Sequence, residues 1–163
     1  MRASRLCASR RARNRGLTLI ELMTVIAIVA IFSTLAAPSF RQLIAQQRVK
    51  SAASALSESA WLARSEALKR NDSVSFTYTT AAAGWNIDYT NKDGTVTRLL
   101  TQDGSPAVTS TLKNGTGVFT FNPYGRLGAA QTIELTSASV SGVTKCVNVS
   151  TSGKTTVRDG TCS

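Results

Sequence analysis

Histidine is absent from this 163-residue chain, and cysteine occurs only three times. Histidine is the most frequent general base and the usual nitrogen ligand of zinc, so its absence removes the common catalytic triads and metal sites. A serine nucleophile would then need a lysine base, and nothing in the spacing of the chain suggests one. We therefore expect neither an enzyme nor a bound metal or cofactor.

Acidic residues are also scarce: nine stand against nineteen Lys and Arg, which gives a net charge of +10. Six of the basic residues lie in the first sixteen positions, so the rest of the chain carries thirteen bases against nine acids, a net charge of +4. The basic excess is therefore concentrated at the amino terminus, where it is typical of a positive-inside topology signal. The length leaves room for one membrane helix and one folded domain.

A long apolar run follows the basic segment, at residues 17–37. It contains one charged residue, Glu21. As a helix this run would be roughly 32 Å long, which exceeds a hydrocarbon core of about 30 Å, so we expect a transmembrane helix. A carboxylate there costs about 2–3 kcal/mol unless it has a partner. If the chain is cut after Gly16, the new amino group of Leu17 on a neighbouring copy can pair with Glu21, which favours assembly side by side.

The start of this run resembles a known signal. Gly16 followed by Leu-Thr-Leu-Ile-Glu-Leu, after a short basic leader, is similar to the class III signal of type IV pilins and type II secretion pseudopilins. The resemblance implies that a prepilin peptidase removes residues 1–16 and methylates Leu17, a position where the family more often has phenylalanine. It also implies that Glu21, the fifth mature residue, serves subunit assembly.

An ordinary secretory signal is the alternative interpretation of the amino terminus. Its apolar region would be residues 17–35, with cleavage near residues 34–36. That region is too long for the type, and Glu21 would be an unexplained charge within it.

Beyond Pro38 the pattern becomes amphipathic, and we expect residues 38–71 to continue the helix. Pro38 should bend or loosen the turn before it without ending the helix. Small apolar residues recur every three or four positions along this segment and so form one face of the helix. We expect this face, with Trp61 and Leu68 beside it, to pack against a sheet. A coiled-coil seam is the weaker alternative, since alanine fills too many core positions. The face consists of Ala45, Val49, Ala52, Leu56, Ala60, Ala63 and Ala67.

From residue 72 to residue 163 the residue types change to threonine, valine and aromatics with two-residue alternation, which predicts a β-sheet head domain. The turn at residues 91–94 should close a hairpin, because Gly94 accepts a positive φ. We expect one antiparallel sheet wrapped on the second half of the helix. The predicted strands are 73–79, 85–90, 95–101, 107–112, 117–122, 132–136, 145–150 and 154–158.

A second resemblance narrows the family. Residues 62–71, Gly84-Trp85 and residues 119–126 are similar to the GspH/FimT family of minor pilins and pseudopilins. The resemblance implies an α+β fold of the type IV pilin kind, with a long amino-terminal helix packed on an antiparallel head domain. It implies a minor pilin that takes part in pilus assembly or priming at the filament tip, with other major and minor pilins as partners. The implied location is the inner membrane, head domain in the periplasm, and then the cell surface. The alternative is the minor pseudopilin H of type II secretion.

One of the three cysteines lies in the predicted leader and two lie in the predicted head domain. Cys7 lies in the leader, which leaves Cys146 and Cys162. Two cysteines near the end of an exported domain predict a disulfide bond that closes a short terminal loop in an oxidising compartment. Such a loop resembles pilins more than pseudopilins.

DNA binding is a further hypothesis, implied by the family. Some FimT-type minor pilins bind DNA through a basic Gly-Arg-x-Arg element, and this chain has Gly153-Lys154 with Arg158 four residues on, and Gly125-Arg126 upstream. Lys154 and Arg158 would share one face of a strand, where successive same-face residues are about 7 Å apart and can follow a phosphate backbone.

Other charged and aromatic residues leave two interpretations each. Arg64, Glu66, Lys69 and Arg70 would form either a partner-binding face or a solvated helix face with weak pairs. Trp85 and Tyr124 would stack on a ligand or, as beside most turns, cover the core.

Overall fold

The computed structural model describes residues 16–162, without the side chains of residues 35–37. Most of the predicted leader, residues 1–15 with Cys7, lies outside the described residues. The described chain divides after Pro38 into two compact units.

Helix α1 spans Leu19–Arg70 and contains Pro38, so the proline does not end the helix, as predicted. Proline removes one hydrogen-bond donor and crowds one carbonyl, which a long helix tolerates. The helix ends at Asn71, whose φ is 51°, and Asp72 N donates to the Ala67 carbonyl oxygen at 3.2 Å. This left-handed cap turns the chain into the first strand.

In the first unit, α1 exposes large apolar side chains over the whole of its surface. They are Leu19, Ile20, Leu22, Met23, Val25, Ile26, Ile28, Val29, Ile31 and Phe32. Within residues 16–162, no single helix is long and apolar enough to cross a membrane; the segments Leu19–Thr34 and Pro38–Arg70 meet that test only as a pair. The transmembrane span at residues 17–37 stays a prediction.

In the second unit, α1 buries a narrow row of small residues. Six of the seven predicted positions are buried, and Ala53 is fully buried where Ala52 was predicted, Ala52 being partly buried at the edge of the row. Alanine lets the helix axis approach a sheet closely, so this row sets the distance between the helix and the strands. The buried row is Ala45, Val49, Ala53, Leu56, Ala60, Ala63 and Ala67.

Eight strands follow, each within two residues of its predicted position. They are β1 Val74–Thr80, β2 Gly84–Thr90, β3 Val96–Gln102, β4 Val108–Asn114, β5 Val118–Phe121, β6 Gln131–Ser137, β7 Thr144–Val149 and β8 Thr155–Asp159. All neighbouring strands are antiparallel. The predicted hairpin at residues 91–94 is present, with Gly94 at φ 84°.

The strands form two sheets, where one was predicted. The first sheet has the order β3-β2-β1-β5 and the second sheet has the order β4-β6-β7-β8. The chain crosses between the sheets after β3, after β4 and after β5. At the crossing after β4, Gly115 and Gly117 both have positive φ, 96° and 76°. These glycines redirect the backbone, so β5 pairs with β1 instead of continuing beside β4.

The core lies between the alanine row of α1 and the inner faces of both sheets. Trp85 is 4% exposed, so the interpretation of this residue as a core residue is confirmed. Trp61 is 65% exposed and Leu68 is 49% exposed, so the prediction that both pack beside the alanine row is wrong. The helix carries apolar residues on two opposite faces, and the sheets cover only one of them.

Candidate functional site

Thr18 and Glu21 cap the start of α1. Glu21 N donates to Thr18 Oγ1 at 3.3 Å, and Thr18 N donates to Glu21 Oε2 at 3.4 Å. This reciprocal pair is a capping box, which satisfies two backbone donors that a helix start otherwise leaves free. The Thr-x-x-Glu spacing was visible in the sequence, and we did not predict it. Glu21 therefore has a partner within its own chain, and Thr18 lies after the predicted cleavage site.

Gly16 and Leu17 precede the cap and are both exposed. A Cβ atom added to Gly16 would meet no atom of the described residues within 4 Å. Among residues 16–162 there is therefore no steric reason for glycine at this position.

The second unit of α1 carries an uncovered apolar stripe. With about 100° between successive residues of a helix, its members fall within a sector of about 120°, opposite the alanine row. This stripe is formed by Phe40, Leu43, Ile44, Trp61, Leu62 and Leu68, all of which are exposed.

The charged residues at the end of α1 hold the helix to β2. Arg70 Nε pairs with Glu66 Oε2 at 2.8 Å and Lys69 Nζ lies 3.6 Å from Glu66 Oε1. The Arg70 guanidinium also lies 4.8 Å from the centre of the Tyr89 ring, whose hydroxyl donates to Asp72 Oδ2 at 3.2 Å. The hydrogen bond from Arg70 lowers the pKa of Glu66. Arg70 is thus engaged in contacts within the fold. This favours a helix face with pairs of its own over a partner-binding face.

Two turns of the head domain have the same hydrogen-bond pattern. In the first turn, residues 122–126, Gly125 N donates to Asn122 O at 2.8 Å and Asn122 N donates to Arg126 O at 2.9 Å. In the second turn, residues 150–154, the equivalent bonds are 2.8 Å and 2.9 Å. Each turn ends in a glycine with positive φ followed by an exposed basic residue, Arg126 or Lys154.

These two turns lie against each other. Leu127 N donates to Thr151 O at 3.0 Å, and a Cβ atom on Gly153 would lie 2.1 Å from the Gly125 carbonyl oxygen. Arg64 Nη1 donates to Gly153 O at 3.4 Å from the helix beneath. The structure thus brings together the turns that carry two of the predicted DNA-binding residues.

Arg158 lies apart from the two turns, on the outer face of the second sheet opposite Cys146. Within the described part of the chain, Arg64, Arg126, Lys154 and Arg158 take part in none of the ion pairs.

Tyr124 corrects another prediction. Its ring is 78% exposed, so it does not cover the core. The Asn122 side chain accepts hydrogen bonds from Tyr124 N and Arg126 N, both at 3.0 Å, and so closes the turn on itself. With the turn closed beneath it, the Tyr124 ring remains at the surface, which leaves the ligand-stacking interpretation untested.

The predicted disulfide bond is confirmed. Cys146 in β7 is bonded to Cys162, with 5.2 Å between their Cα atoms. Cys162 N also donates to Glu134 Oε2 at 2.9 Å, and Lys113 Nζ lies 3.4 Å from the other oxygen of that carboxylate. The chain end is therefore held on the outer face of the second sheet by a covalent bond and a hydrogen bond.

Two family models match the chain. The model described as type II transport protein GspH matches residues 52–153, and the prokaryotic N-terminal methylation motif matches residues 11–37. No curated protein matches the chain.

Several solved structures share the fold. The type IV minor pilin FimU of Pseudomonas aeruginosa PAO1 superposes with a TM-score of 0.60 at 21% identity, over 69% of this chain and 89% of that one. The minor pseudopilin EpsH from the type 2 secretion system of Vibrio cholerae superposes with a TM-score of 0.58 at 9% identity, over 69% and 97%. The predicted α+β fold of the pilin kind is confirmed.

Proposed function

Because the chain belongs to the GspH family of minor pilins and pseudopilins, we propose that it is a minor pilin of a type IV pilus, which helps to start filament assembly at the tip. The alternative is the minor pseudopilin H of a type II secretion system. The family consists of structural subunits, and we propose no enzymatic role.

The uncovered stripe of α1 is the observation that supports a filament subunit best. Full burial of one large apolar side chain contributes about 1.5–3 kcal/mol, so six exposed ones provide a strong drive towards association. Neighbouring subunits that contribute their own α1 helices would cover the stripe. The apolar first unit would lie in the inner membrane before assembly, with the head domain in the periplasm, and reach the cell surface with the filament.

Processing and subunit addition would act at the amino terminus. A prepilin peptidase would recognise Gly16, would cut before Leu17 and would methylate it. The new amino group would then pair with Glu21 of a neighbouring subunit. The capping box adds a condition, because Glu21 must turn from its own Thr18 amide towards that amino group.

The disulfide loop near the carboxyl terminus favours a type IV pilus over a type II secretion system. The fold supports a pilus and a secretion system alike, since FimU and EpsH superpose about equally well. The loop closed by Cys146 and Cys162 resembles pilins more than pseudopilins, and it supports the pilus. Deletion of the gene tests the choice: a minor pilin leaves the cells with few or no surface pili, whereas a pseudopilin blocks export of secreted enzymes.

The stripe is tested by Trp61→Ser in the full chain. We expect normal processing and membrane level but a marked loss of incorporation into filaments, because the substitution removes the largest side chain of the stripe. The matched control is Val96→Ser, at an equally exposed apolar residue of β3. Equal incorporation of the two variants would contradict the proposal.

DNA binding is a second candidate function, supported by the two turns that lie together with Arg126 and Lys154 exposed. The test is retardation of duplex DNA by the mature protein at low salt, where phosphate contacts are strongest. Replacing Arg126, Lys154 and Arg158 by alanine should abolish the shift, and Lys92→Ala, in the hairpin turn, is the control for a lost surface cation. An unchanged shift in the triple variant would remove this candidate.

A further inference from the structure

A polar cavity lies on the outer face of the second sheet, on the far side of that sheet from α1. Its volume is about 320 Å³, within the range of small-ligand sites. Its floor is a row across three strands, because Thr132 lies opposite Asn148 in β7, which lies opposite Thr156 in β8. Asn148 Nδ2 donates to Thr132 Oγ1 at 2.8 Å, which fixes the amide.

The segment after β8 forms a wall of the cavity, which Thr161 lines. The next residue, Cys162, is held by its disulfide bond to Cys146 and by the hydrogen bond from its backbone N to Glu134 Oε2. The cavity therefore depends on a segment that two separate bonds fix in place.

The charges around the cavity favour an anion. Arg158 contributes an exposed guanidinium at its rim, and within residues 16–162 it joins no ion pair. Asp159 also lines the cavity, but its carboxylate is paired with Lys145, and the nearby Glu134 carboxylate is paired with Lys113. Among the described lining residues, the remaining polar side chains are one cation, hydroxyls and an amide, which are donors that bind an oxyanion.

We propose that this cavity binds a phosphate group, through the Arg158 guanidinium, the hydroxyls of Thr132, Thr156 and Thr161, and the Asn148 amide. None of the described residues that line the cavity is aromatic, so stacked bases have no platform among them. The proposed donors come from three neighbouring strands and from the segment that follows β8. The source of the phosphate is either the free ion or a phosphodiester of nucleic acid. The proposal does not depend on which machine assembles the chain.

The test is a titration of the ¹⁵N-labelled mature chain in detergent micelles with sodium phosphate, at an ionic strength held constant with chloride. We expect saturable shifts of the Asn148 side-chain amide and the Arg158 Nε–H signals. Arg158→Gln should weaken phosphate binding about tenfold or more, because it removes a charged hydrogen bond. Lys92→Gln makes the same change of charge at an exposed residue outside the cavity and should leave the affinity within about twofold.

Two further arms complete the test. A variant with both disulfide cysteines replaced by serine should lose affinity, since the wall is released; if it does not fold, Arg158→Gln with an unchanged backbone spectrum still decides the question. A short oligonucleotide that displaces phosphate from the Asn148 amide identifies a phosphodiester as the source, and no displacement identifies free phosphate. Shifts that never saturate, or equal loss in Lys92→Gln and Arg158→Gln, overturn the proposal.

Discussion

Alanine at Gly153 should destabilise the head domain strongly, because it forces apart the two turns that lie against each other. Gly153 has φ 76°, and a Cβ atom there would lie 2.1 Å from the Gly125 carbonyl oxygen. A left-handed backbone costs an L-residue about 1–2 kcal/mol. Non-bonded atoms pack at about 3.5 Å, so one turn must also move by roughly 1 Å or more.

That movement weakens the bond between Leu127 N and Thr151 O, which is worth about 1 kcal/mol. The lower entropy of the unfolded alanine chain offsets about 0.4–1 kcal/mol of the cost. Together these effects predict a loss of about 2 kcal/mol in the free energy of unfolding for Gly153→Ala.

Two other glycines separate the cost of the left-handed backbone from the cost of the steric contact. Gly94 has φ 84° but no atom within 4 Å of a Cβ position, so Gly94→Ala bears only the backbone cost, about 1 kcal/mol after the entropy offset. Gly128 has neither a positive φ nor a close neighbour, so Gly128→Ala should be neutral or slightly stabilising.

Urea unfolding of the mature chain in detergent, followed by the fluorescence of buried Trp85, measures the three differences. The expected order of the losses is Gly153→Ala, then Gly94→Ala, then Gly128→Ala. If Gly153→Ala loses no more than Gly94→Ala, the two turns do not touch as described, and the support that they give to a shared basic surface disappears.

Three further predictions concern single interactions. Glu21→Ala should leave processing intact and reduce incorporation into filaments, measured by mass spectrometry of the mature protein and by its amount in sheared pili; normal piliation would contradict the pairing mechanism. Replacing both disulfide cysteines by serine should lower the free energy of unfolding by about 3 kcal/mol, as expected for a loop of this length, with urea as the assay. Because Arg70 lowers the pKa of Glu66 below its ordinary 4.5, their pairing stabilises the fold above that value and is lost as the pH falls through the lower folded-state pKa. Glu66→Gln should therefore flatten the acid side of the stability curve, measured by urea unfolding at a series of pH values.

The strands and the helix could be read from local patterns, because two-residue and 3.6-residue periods report which side of an element is buried. The helical period did not identify the buried face of α1, because two faces of this helix are apolar. Trp61 and Leu68 fit a helix period as well as the alanine row does, and nothing in one sequence says which face the sheets cover. The Thr-x-x-Glu spacing of Thr18 and Glu21 is a local signal of a capping box that the sequence does carry.

The candidate site depended on contacts between distant parts of the chain, which local patterns do not carry. Arg64 meets Gly153 across 89 positions, and β5 returns to the first sheet after Gly115 and Gly117, whose φ angles are positive. The sequence marked both basic turns as Gly-Arg and Gly-Lys, but only the fold shows that the turns touch and that Arg158 lies elsewhere.

The separation of surfaces in the second unit has a functional consequence. The apolar stripe lies on α1, whereas Arg158 and the phosphate cavity lie on the outer face of the second sheet, with the core between them. Neighbouring helices that cover the stripe would therefore leave the cavity open, so assembly and ligand binding need not compete. Phosphate affinity should then be the same for free subunits and for subunits within filaments, whereas a surface shared by both functions would lose its ligand on assembly.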